Sequence, residues 1–224
     1  MFELYLDTAD LAQVARFNAC LPVHGITTNP SILAKSTQRL SQLLPALTEI
    51  LGEHSQNFVQ VISEDVNAMV DEAERLIELP YNLVVKIPAT EIGLSAIKRL
   101  KARNLPVLAT AIYSVQQGFL AALCGADYLA PYVNRIDTFG MDGVGVVADL
   151  QLLLDKHHLP SKLLPASFKN TQQVLDVLKL GVASITLPIE VADQLFGHPA
   201  VNPAVQQFGL DWQSVFGNKL AYEV

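Results

Sequence analysis

The sequence predicts an α/β protein, a single-domain (β/α)8 TIM barrel, and three observations lead to this fold class. Short apolar runs alternate with helical patterns along the whole chain, which is typical of parallel α/β folds. Eight such strand–helix units fit into about 200 residues, the small end of the range for this barrel. The glycine-rich turn of the competing doubly wound sheet is absent from the sequence. We therefore expect one barrel domain over residues 1–224.

The strands and helices are predicted in alternation. Runs of branched aliphatic and aromatic residues predict strands over 3–6, 25–28, 58–62, 83–87, 107–112, 128–133, 162–167 and 184–187. Apolar residues at three- and four-residue spacing predict helices over 10–18, 38–51, 66–78, 92–103, 114–124, 144–157, 171–180 and 189–196. Asp10, Ser114 and Thr171 suit helix starts, and Gly52 and Gly125 follow helices. A final amphipathic helix is predicted over 202–216.

Composition excludes several classes of function. Half of the 224 residues are hydrophobic and only 17% are charged, which is typical of a globular protein and not of a disordered one. The net charge of −7 and the lack of a basic cluster argue against nucleic acid as a partner. The N-terminus carries acids where a signal peptide has bases, and no apolar run reaches membrane-spanning length. We expect a cytoplasmic protein with no membrane partner.

Lys86 is a lone cationic residue inside the apolar run 83–88. Such a run is typical of a buried parallel strand. Burial disfavours the charged form of lysine, so its amine becomes nucleophilic nearer neutral pH and can form a Schiff base with a carbonyl substrate. The alternative is a strand-end lysine whose ammonium reaches solvent or a carboxylate.

Polar residues follow most of the predicted strands. In a (β/α)8 barrel the carboxyl ends of the strands form one rim, where the chemistry takes place. The polar residues at this rim are Asp7, Thr27, Thr28, Asn29, Gln60, Lys86, Thr110, Tyr113, Tyr132, Asn134, Arg135, Ser167 and Lys169. Taken singly, each has a structural explanation, such as a helix cap for Asp7 or a turn at Asn29. Together they offer an acid beside an amine, hydrogen-bonding groups for a polyol, a phenol and a cation for an anionic group.

Several motifs resemble those of one enzyme family. The segments 25–33 (GITTNPSIL) and 83–90 (LVVKIPAT) resemble the two signature motifs of the transaldolase family. Further matches are 4–9 (LYLDTA), 130–137 (APYVNRID), 166–169 (ASFK) and 184–188 (SITLP), so the resemblance covers almost the whole chain. The short chain resembles the fructose-6-phosphate aldolase subgroup. Gln60 stands where true transaldolases generally carry glutamate, and Tyr132 where they carry phenylalanine.

The resemblance implies a class I aldolase that needs neither a metal nor another cofactor. Lys86 is the implied nucleophile. Tyr132, with a water held by Gln60 and Thr110, is the implied acid–base group. Asp7 is expected to orient Lys86 and to contact donor hydroxyls.

The same resemblance implies how substrate is bound. Asn29 and Thr27 are expected to contact the ketone donor, and Arg135 and Ser167 the acceptor phosphate. The implied reaction is reversible cleavage of fructose 6-phosphate to dihydroxyacetone and glyceraldehyde 3-phosphate, so the expected partners are a sugar phosphate and a small ketone. By the same resemblance we expect a homo-oligomer, such as a decameric ring, in which helix 202–216 packs on a neighbouring subunit.

Three alternatives remain open at this stage. The nearest is a transaldolase that transfers a dihydroxyacetone unit between sugar phosphates. The others are a non-catalytic sugar-phosphate-binding barrel and a barrel isomerase that uses proton abstraction. Departures from the family pattern at Pro165, Phe139 and Met141 leave the preferred acceptor open. The five histidines show no metal-ligand spacing.

Overall fold

The computed structural model describes residues 2–224 and contains the predicted barrel. Its parallel strands are β1 (Glu3–Asp7), β2 (Val23–Thr27), β3 (Asn57–Gln60), β4 (Leu83–Pro88), β5 (Val107–Ile112), β6 (Tyr128–Pro131), β7 (Lys162–Leu163) and β8 (Ser184–Leu187). They pair in the order β7-β6-β5-β4-β3-β2-β1-β8. At the remaining seam, the Thr186 N–H donates to the Pro165 carbonyl at 3.1 Å and the Ser184 hydroxyl to the Leu163 carbonyl at 2.8 Å. These bonds nearly close the barrel.

Helices surround the strands. They are α1 (Leu11–Asn18), α2 (Pro30–Ser36), α3 (Leu40–Leu51), α4 (Val66–Ile77), α5 (Glu91–Lys101), α6 (Val115–Leu123), α7 (Val133–Thr138), α8 (Gly143–Lys156), α9 (Thr171–Lys179), α10 (Ile189–Gln194) and α11 (Val201–Phe216). A short 3-10 helix covers Ala221–Glu223. Asp10 and Ser114 cap α1 and α6 as predicted, whereas Asn170, not Thr171, caps α9.

Two short helices, α2 and α7, were not predicted, and strands β3, β6 and β7 end earlier than predicted. Helix α2 begins directly after Asn29, whose side chain accepts a hydrogen bond from the Ile32 N–H and caps the helix. Strand β6 ends at Pro131, and Tyr132 starts α7 instead of continuing the strand. Strand β7 is reduced to two residues because Pro165 lacks an N–H for the ladder.

The core consists of two parts. A small cluster fills the barrel interior with Tyr5, Phe58, Val84, Leu108, Tyr128, Ala130 and Leu164, and a larger one lies between the strands and the helices. Gly25 permits the close packing of β2 on the segment before β3, since a Cβ there would lie 1.7 Å from the Gln56 carbonyl oxygen. The filled interior leaves the rim at the carboxyl ends of the strands as the place for a site.

Helix α11 lies apart from this core. Its residues are exposed, apart from the partly buried Trp212. Val205 and Phe208 are 60% and 68% exposed, so the amphipathic helix predicted here has an uncovered apolar face. Within residues 2–224, no helix is both long and apolar enough to cross a membrane.

Candidate active site

A cavity of about 610 Å³ opens at the carboxyl ends of the strands. Six of the predicted site residues line it, namely Asp7, Asn29, Lys86, Tyr132, Arg135 and Ser167. Thr27 and Thr110 are fully buried and contact the lining residues by hydrogen bonds. Gln60 lies beside Lys86 in the β3–β4 register but lines a neighbouring groove of about 600 Å³. The rim thus brings eight of the nine predicted residues to or directly behind one cavity, whereas Gln60 lines the neighbouring groove.

Lys86 is 5% exposed, and its amine donates a 2.7 Å hydrogen bond to the Thr28 carbonyl oxygen. Burial lowers the pKa of Lys86; the negative charge of Asp7 opposes this shift and the positive charge of Arg135 adds to it. Lys86 is therefore buried against a backbone carbonyl and does not reach solvent as in the alternative, and its burial shifts the equilibrium toward the neutral, nucleophilic amine.

Asp7 lies at the end of β1 and bonds to threonine, not to the lysine. Its carboxylate accepts a 2.6 Å hydrogen bond from the Thr27 hydroxyl, which lies 2.7 Å from the hydroxyl of Thr186. This chain fixes the carboxylate across β1, β2 and β8. The influence of Asp7 on Lys86 is electrostatic, since the lysine amine bonds to the Thr28 carbonyl.

Tyr132 presents the titratable hydroxyl of the cavity. Its oxygen lies 2.8 Å from the hydroxyl of Thr110, and the residue is 9% exposed. Burial raises the pKa of Tyr132, while the Thr110 hydrogen bond and the charge of Arg135 act in the opposite direction. The phenol is therefore protonated at neutral pH and can serve as a proton donor.

Arg135 is placed by two aromatic residues. Its guanidinium carbon lies 4.7 Å from the centroid of the Tyr132 ring, and one of its N–H groups donates to the Tyr113 hydroxyl at 3.4 Å. The Tyr113 ring packs edge-on against Tyr132 at 5.6 Å and against Phe139 at 6.0 Å. These contacts hold the guanidinium at the cavity, which Arg135 lines. Phe139, at the outer end of this group, is 72% exposed.

Asn29 and Ser167 show how the backbone aims polar groups at the cavity. The carbonyl oxygen of the Asn29 side chain caps α2 at Ile32, which leaves its amide nitrogen to donate to a ligand. Ser167 has a φ of 60°, a left-handed conformation that is unusual for a residue with a Cβ. Such strain is concentrated at functional sites.

Five polar residues at or behind the cavity lining had no predicted role. Lys35, Lys169, Glu190 and Gln194 line the cavity, and Thr186 supports Thr27. The sequence placed Lys169 among the polar residues of the rim but gave it no role. Lys35 lies on α2, a helix that was not predicted, so its approach to the rim was not foreseeable. With Arg135, the two lysines place three cations in the lining of the cavity, beside the carboxylates of Asp7 and Glu190, in a chain whose net charge is −7.

Among residues 2–224, no group of three or more His, Cys, Asp or Glu side chains is placed to hold a metal ion. The cavity instead offers an amine, a phenol, a carboxylate and cations. This set can bind an anionic polyol, form an imine with its carbonyl group and move a proton.

Comparisons with known proteins bear on the fold and the family. The family described as Transaldolase/Fructose-6-phosphate aldolase matches residues 4–223. Among solved structures, a mutant flavocytochrome b2 with benzoylformate has a TM-score of 0.60 at 14% identity, over 84% of this chain and 56% of that one. A mandelate oxidase variant with 4-Br-2-hydroxy-methylphenylacetate has a TM-score of 0.56 at 13% identity, over 85% of this chain and 65% of that one. The chain thus spans little more than half the length of the flavocytochrome, and identities this low show the barrel fold alone.

Proposed function

The chain belongs to the transaldolase/fructose-6-phosphate aldolase family, and from this premise we propose that it is a class I aldolase. The proposed reaction is reversible cleavage of fructose 6-phosphate to dihydroxyacetone and glyceraldehyde 3-phosphate. One observation carries the proposal. The buried amine of Lys86 and the protonated phenol of Tyr132 line the same cavity, whereas the neighbouring position on β3 is an amide, Gln60.

The first step is formation of the Schiff base. The neutral Lys86 amine adds to the C2 carbonyl of the ketose. The hydroxyl of the resulting carbinolamine then takes a proton from solvent and leaves as water, which gives an iminium ion. Low exposure of Lys86 and its lowered pKa support this role, because only the unprotonated amine is nucleophilic. The Asp7 carboxylate, which is held in position by the Thr27 hydroxyl, stabilises the cationic iminium in the same cavity.

The second step breaks the bond between C3 and C4. The C4 hydroxyl loses its proton, and the electron pair of the C3–C4 bond moves to the iminium, which forms an enamine and releases the aldehyde. A water between Gln60, Thr110 and Tyr132 takes this proton and returns one to C3 of the enamine. Hydrolysis of the new iminium then releases dihydroxyacetone and the free Lys86 amine.

In this proposal the phosphate end of the substrate lies beside the cations of the cavity lining. Arg135 offers forked N–H donors, which match phosphate oxygens, and Ser167 offers a hydroxyl on the adjacent strand end. Lys169 and Lys35 add positive charge beside them. Phe139, which packs on Tyr113 and is 72% exposed, and Met141, which is 48% exposed, are the proposed determinants of which aldehyde is preferred.

The choice between aldolase and transaldolase depends on Gln60 and Tyr132. A glutamate can exchange protons with a bound water, whereas glutamine can only orient it. In this chain the titratable group is the Tyr132 hydroxyl, held by Thr110 at 2.8 Å. This arrangement supports release of free dihydroxyacetone instead of transfer to a second sugar.

The test measures cleavage of fructose 6-phosphate with and without erythrose 4-phosphate. We expect release of glyceraldehyde 3-phosphate without the second sugar. We expect Tyr132→Phe to lower this rate by about 10²-fold or more, while the Lys86 imine still forms. Tyr222→Phe, which removes a hydroxyl from a residue that is 82% exposed, is the matched control. Turnover that requires erythrose 4-phosphate would identify a transaldolase instead.

A further inference from the structure

Strand β5 contains a bulge directly below the candidate site. Its register with β6 runs through Leu108↔Tyr128 and Ala109↔Leu129 and resumes only at Ile112↔Pro131. Two residues of β5, Thr110 and Ala111, therefore lie opposite one residue of β6. Ala111 has a φ of 55°, so the extra residue adopts the left-handed conformation.

The bulge changes the face of the barrel that the side chains after Ala111 occupy. In a regular strand, residues two apart share a face, so Thr110 and Ile112 would point the same way. Here Ala109 and Ile112, three residues apart, both pack in the core between strands and helices. Thr110 keeps the inward face that it shares with Leu108 and contacts the Tyr132 hydroxyl, so the extra residue turns Ile112 outward.

The residues on either side of Ala111 contact the backbone and the phenol group of Tyr132. The Ile112 carbonyl accepts a 3.0 Å hydrogen bond from the Tyr132 backbone N–H. The Thr110 hydroxyl lies 2.8 Å from the phenol oxygen of the same residue. One left-handed residue thus fixes the backbone and the side chain of the tyrosine together.

The location of this strained residue is unusual within the chain. Among residues 2–224, the other non-glycine residues with positive φ are Thr37, Asn104, His158 and Ser167. Thr37 caps α2, and Asn104 and His158 follow the ends of α5 and α8, where left-handed residues are common. Ala111 lies within a strand, and such conformations persist only where the surrounding structure enforces them.

We propose that Ala111 is a positioning residue for the aldol reaction, because its left-handed bulge holds Thr110 and the Tyr132 phenol in the geometry that proton transfer requires. Ala111 itself does not line the cavity and touches no substrate in this account. The inference rests on the proposed function, since it concerns the step in which Tyr132 and its water move a proton.

The test compares Ala111→Gly with Ala111→Val. Glycine adopts positive φ freely, so Ala111→Gly is expected to keep kcat within about threefold of the native value. Valine disfavours this conformation strongly, so Ala111→Val is expected to lower kcat by about 10²-fold, the cost of misplacing a catalytic group by roughly 1 Å. Borohydride trapping of dihydroxyacetone on Lys86 is expected to be unchanged in both variants, because β4 is unaltered.

The pH profile provides a readout that a purely structural defect would not move. The hydrogen bond from Thr110 lowers the pKa of Tyr132, so its loss in Ala111→Val is expected to shift the alkaline limb of kcat to higher pH. The other groups that act on the phenol, namely Asp7 from β1, Arg135 from α7 and Tyr113 after β5, are the same in both variants.

His158→Val is the matched control. It places the same side chain at an exposed left-handed position, with a φ of 53°, beyond the end of α8. We expect it to lower the melting temperature in the same way as Ala111→Val while leaving kcat unchanged.

Three outcomes would overturn the inference. Native kcat in Ala111→Val would do so, as would equal losses of kcat and of adduct formation, which indicate general damage. If Ala111→Val does not fold, a crystal structure of the native enzyme with its reduced adduct decides, and a negative φ at Ala111 or a broken Thr110–Tyr132 contact overturns it. Absence of any adduct in the native protein would instead refute the proposed function.

Discussion

The Asp7 carboxylate accepts a 2.6 Å hydrogen bond from the Thr27 hydroxyl, so its position is set by β2 and not by the lysine it was expected to orient. The Lys86 amine donates to the Thr28 carbonyl, on the next residue of the same segment. Asp7 therefore acts on Lys86 through its charge, which raises the lysine pKa against the larger effect of burial. The pH profile of kcat/KM is therefore expected to depend on the charge of Asp7.

Asp7→Asn is expected to shift the pH profile of kcat/KM downward. Asparagine retains an oxygen that accepts the Thr27 hydrogen bond, but the negative charge is lost. Because Asp7 raises the pKa of both Lys86 and Tyr132, its removal lowers both pKa values. The acid limb, which follows deprotonation of Lys86, and the alkaline limb, which follows deprotonation of Tyr132, should both move to lower pH.

The control for this shift is Asp176→Asn, which removes the same charge from a partly exposed site on α9. Its profile should coincide with that of the native enzyme. An acid limb that stays in place in Asp7→Asn would show that the charge of Asp7 does not act on the lysine.

Arg135→Gln is expected to weaken binding of phosphorylated acceptors selectively. Loss of a charge-assisted contact to phosphate corresponds to about 1.5–3 kcal/mol, or roughly a tenfold to hundredfold higher KM for glyceraldehyde 3-phosphate. Unphosphorylated glyceraldehyde has no group for the guanidinium to bind, so its KM should change little. Equal losses for both aldehydes would mean that Arg135 supports the Tyr132 ring, 4.7 Å away, and does not bind phosphate.

Glu3 stabilises the amino-terminal end of the barrel in a pH-dependent way. Its carboxylate accepts hydrogen bonds from Tyr5, Tyr128 and Lys162. Burial alone raises the pKa of Glu3, but the bonds from Lys162 and Tyr128 outweigh it, and the pKa lies below the ordinary value of 4.5. A lowered carboxylate pKa contributes stability above the unfolded-state value, and this contribution is lost as the pH falls through the folded-state value.

Glu3→Gln is therefore expected to lower the free energy of unfolding by about 1–2 kcal/mol at neutral pH, after allowance for the half-exposed Lys162. The difference from the native protein should shrink below pH 4.5. Urea titrations at a series of pH values measure it, with the exposed Glu53→Gln as the control. A difference that is constant with pH would exclude the charge of Glu3 as its origin.

Helix α11 is expected to mediate self-association. Val201, Val205, Phe208, Trp212 and Val215 lie at helical spacing on one stripe, and most of this surface is exposed. Phe208→Asp should convert the native assembly into smaller species in sedimentation velocity experiments, whereas Gln206→Asp, off the stripe, should not. A native protein that sediments as a monomer, or an unchanged Phe208→Asp assembly, would contradict this expectation.

The barrel could be predicted because each of its eight units shows the same pattern, an apolar run followed by a helical pattern. Eight apolar runs separated by helical patterns admit few layouts, and parallel strands bring their carboxyl ends to one rim. That single rule gathered Asp7, Asn29, Lys86, Tyr132, Arg135 and Ser167 around one cavity before any contact was known.

What the sequence did not reveal depends on local backbone geometry. Asn29-Pro30 reads as a turn, yet the asparagine caps α2 and brings Lys35 to the cavity. Val133 continues the apolar run after Tyr128, yet Tyr132 ends the sheet pairing and starts α7. The bulge at Ala111 could not be predicted either, because alanine, unlike glycine, gives no indication of a positive φ.

Lys86 is proposed to form a Schiff base with the donor ketone, and every other proposed role depends on this step. The most direct measurement is borohydride reduction in the presence of dihydroxyacetone, followed by mass spectrometry of the peptide that contains residue 86. We expect one reduced dihydroxyacetone unit on Lys86, and none on a folded Lys86→Met variant, which should also lack turnover. A native protein that binds dihydroxyacetone and cleaves fructose 6-phosphate without an adduct at Lys86 would contradict it.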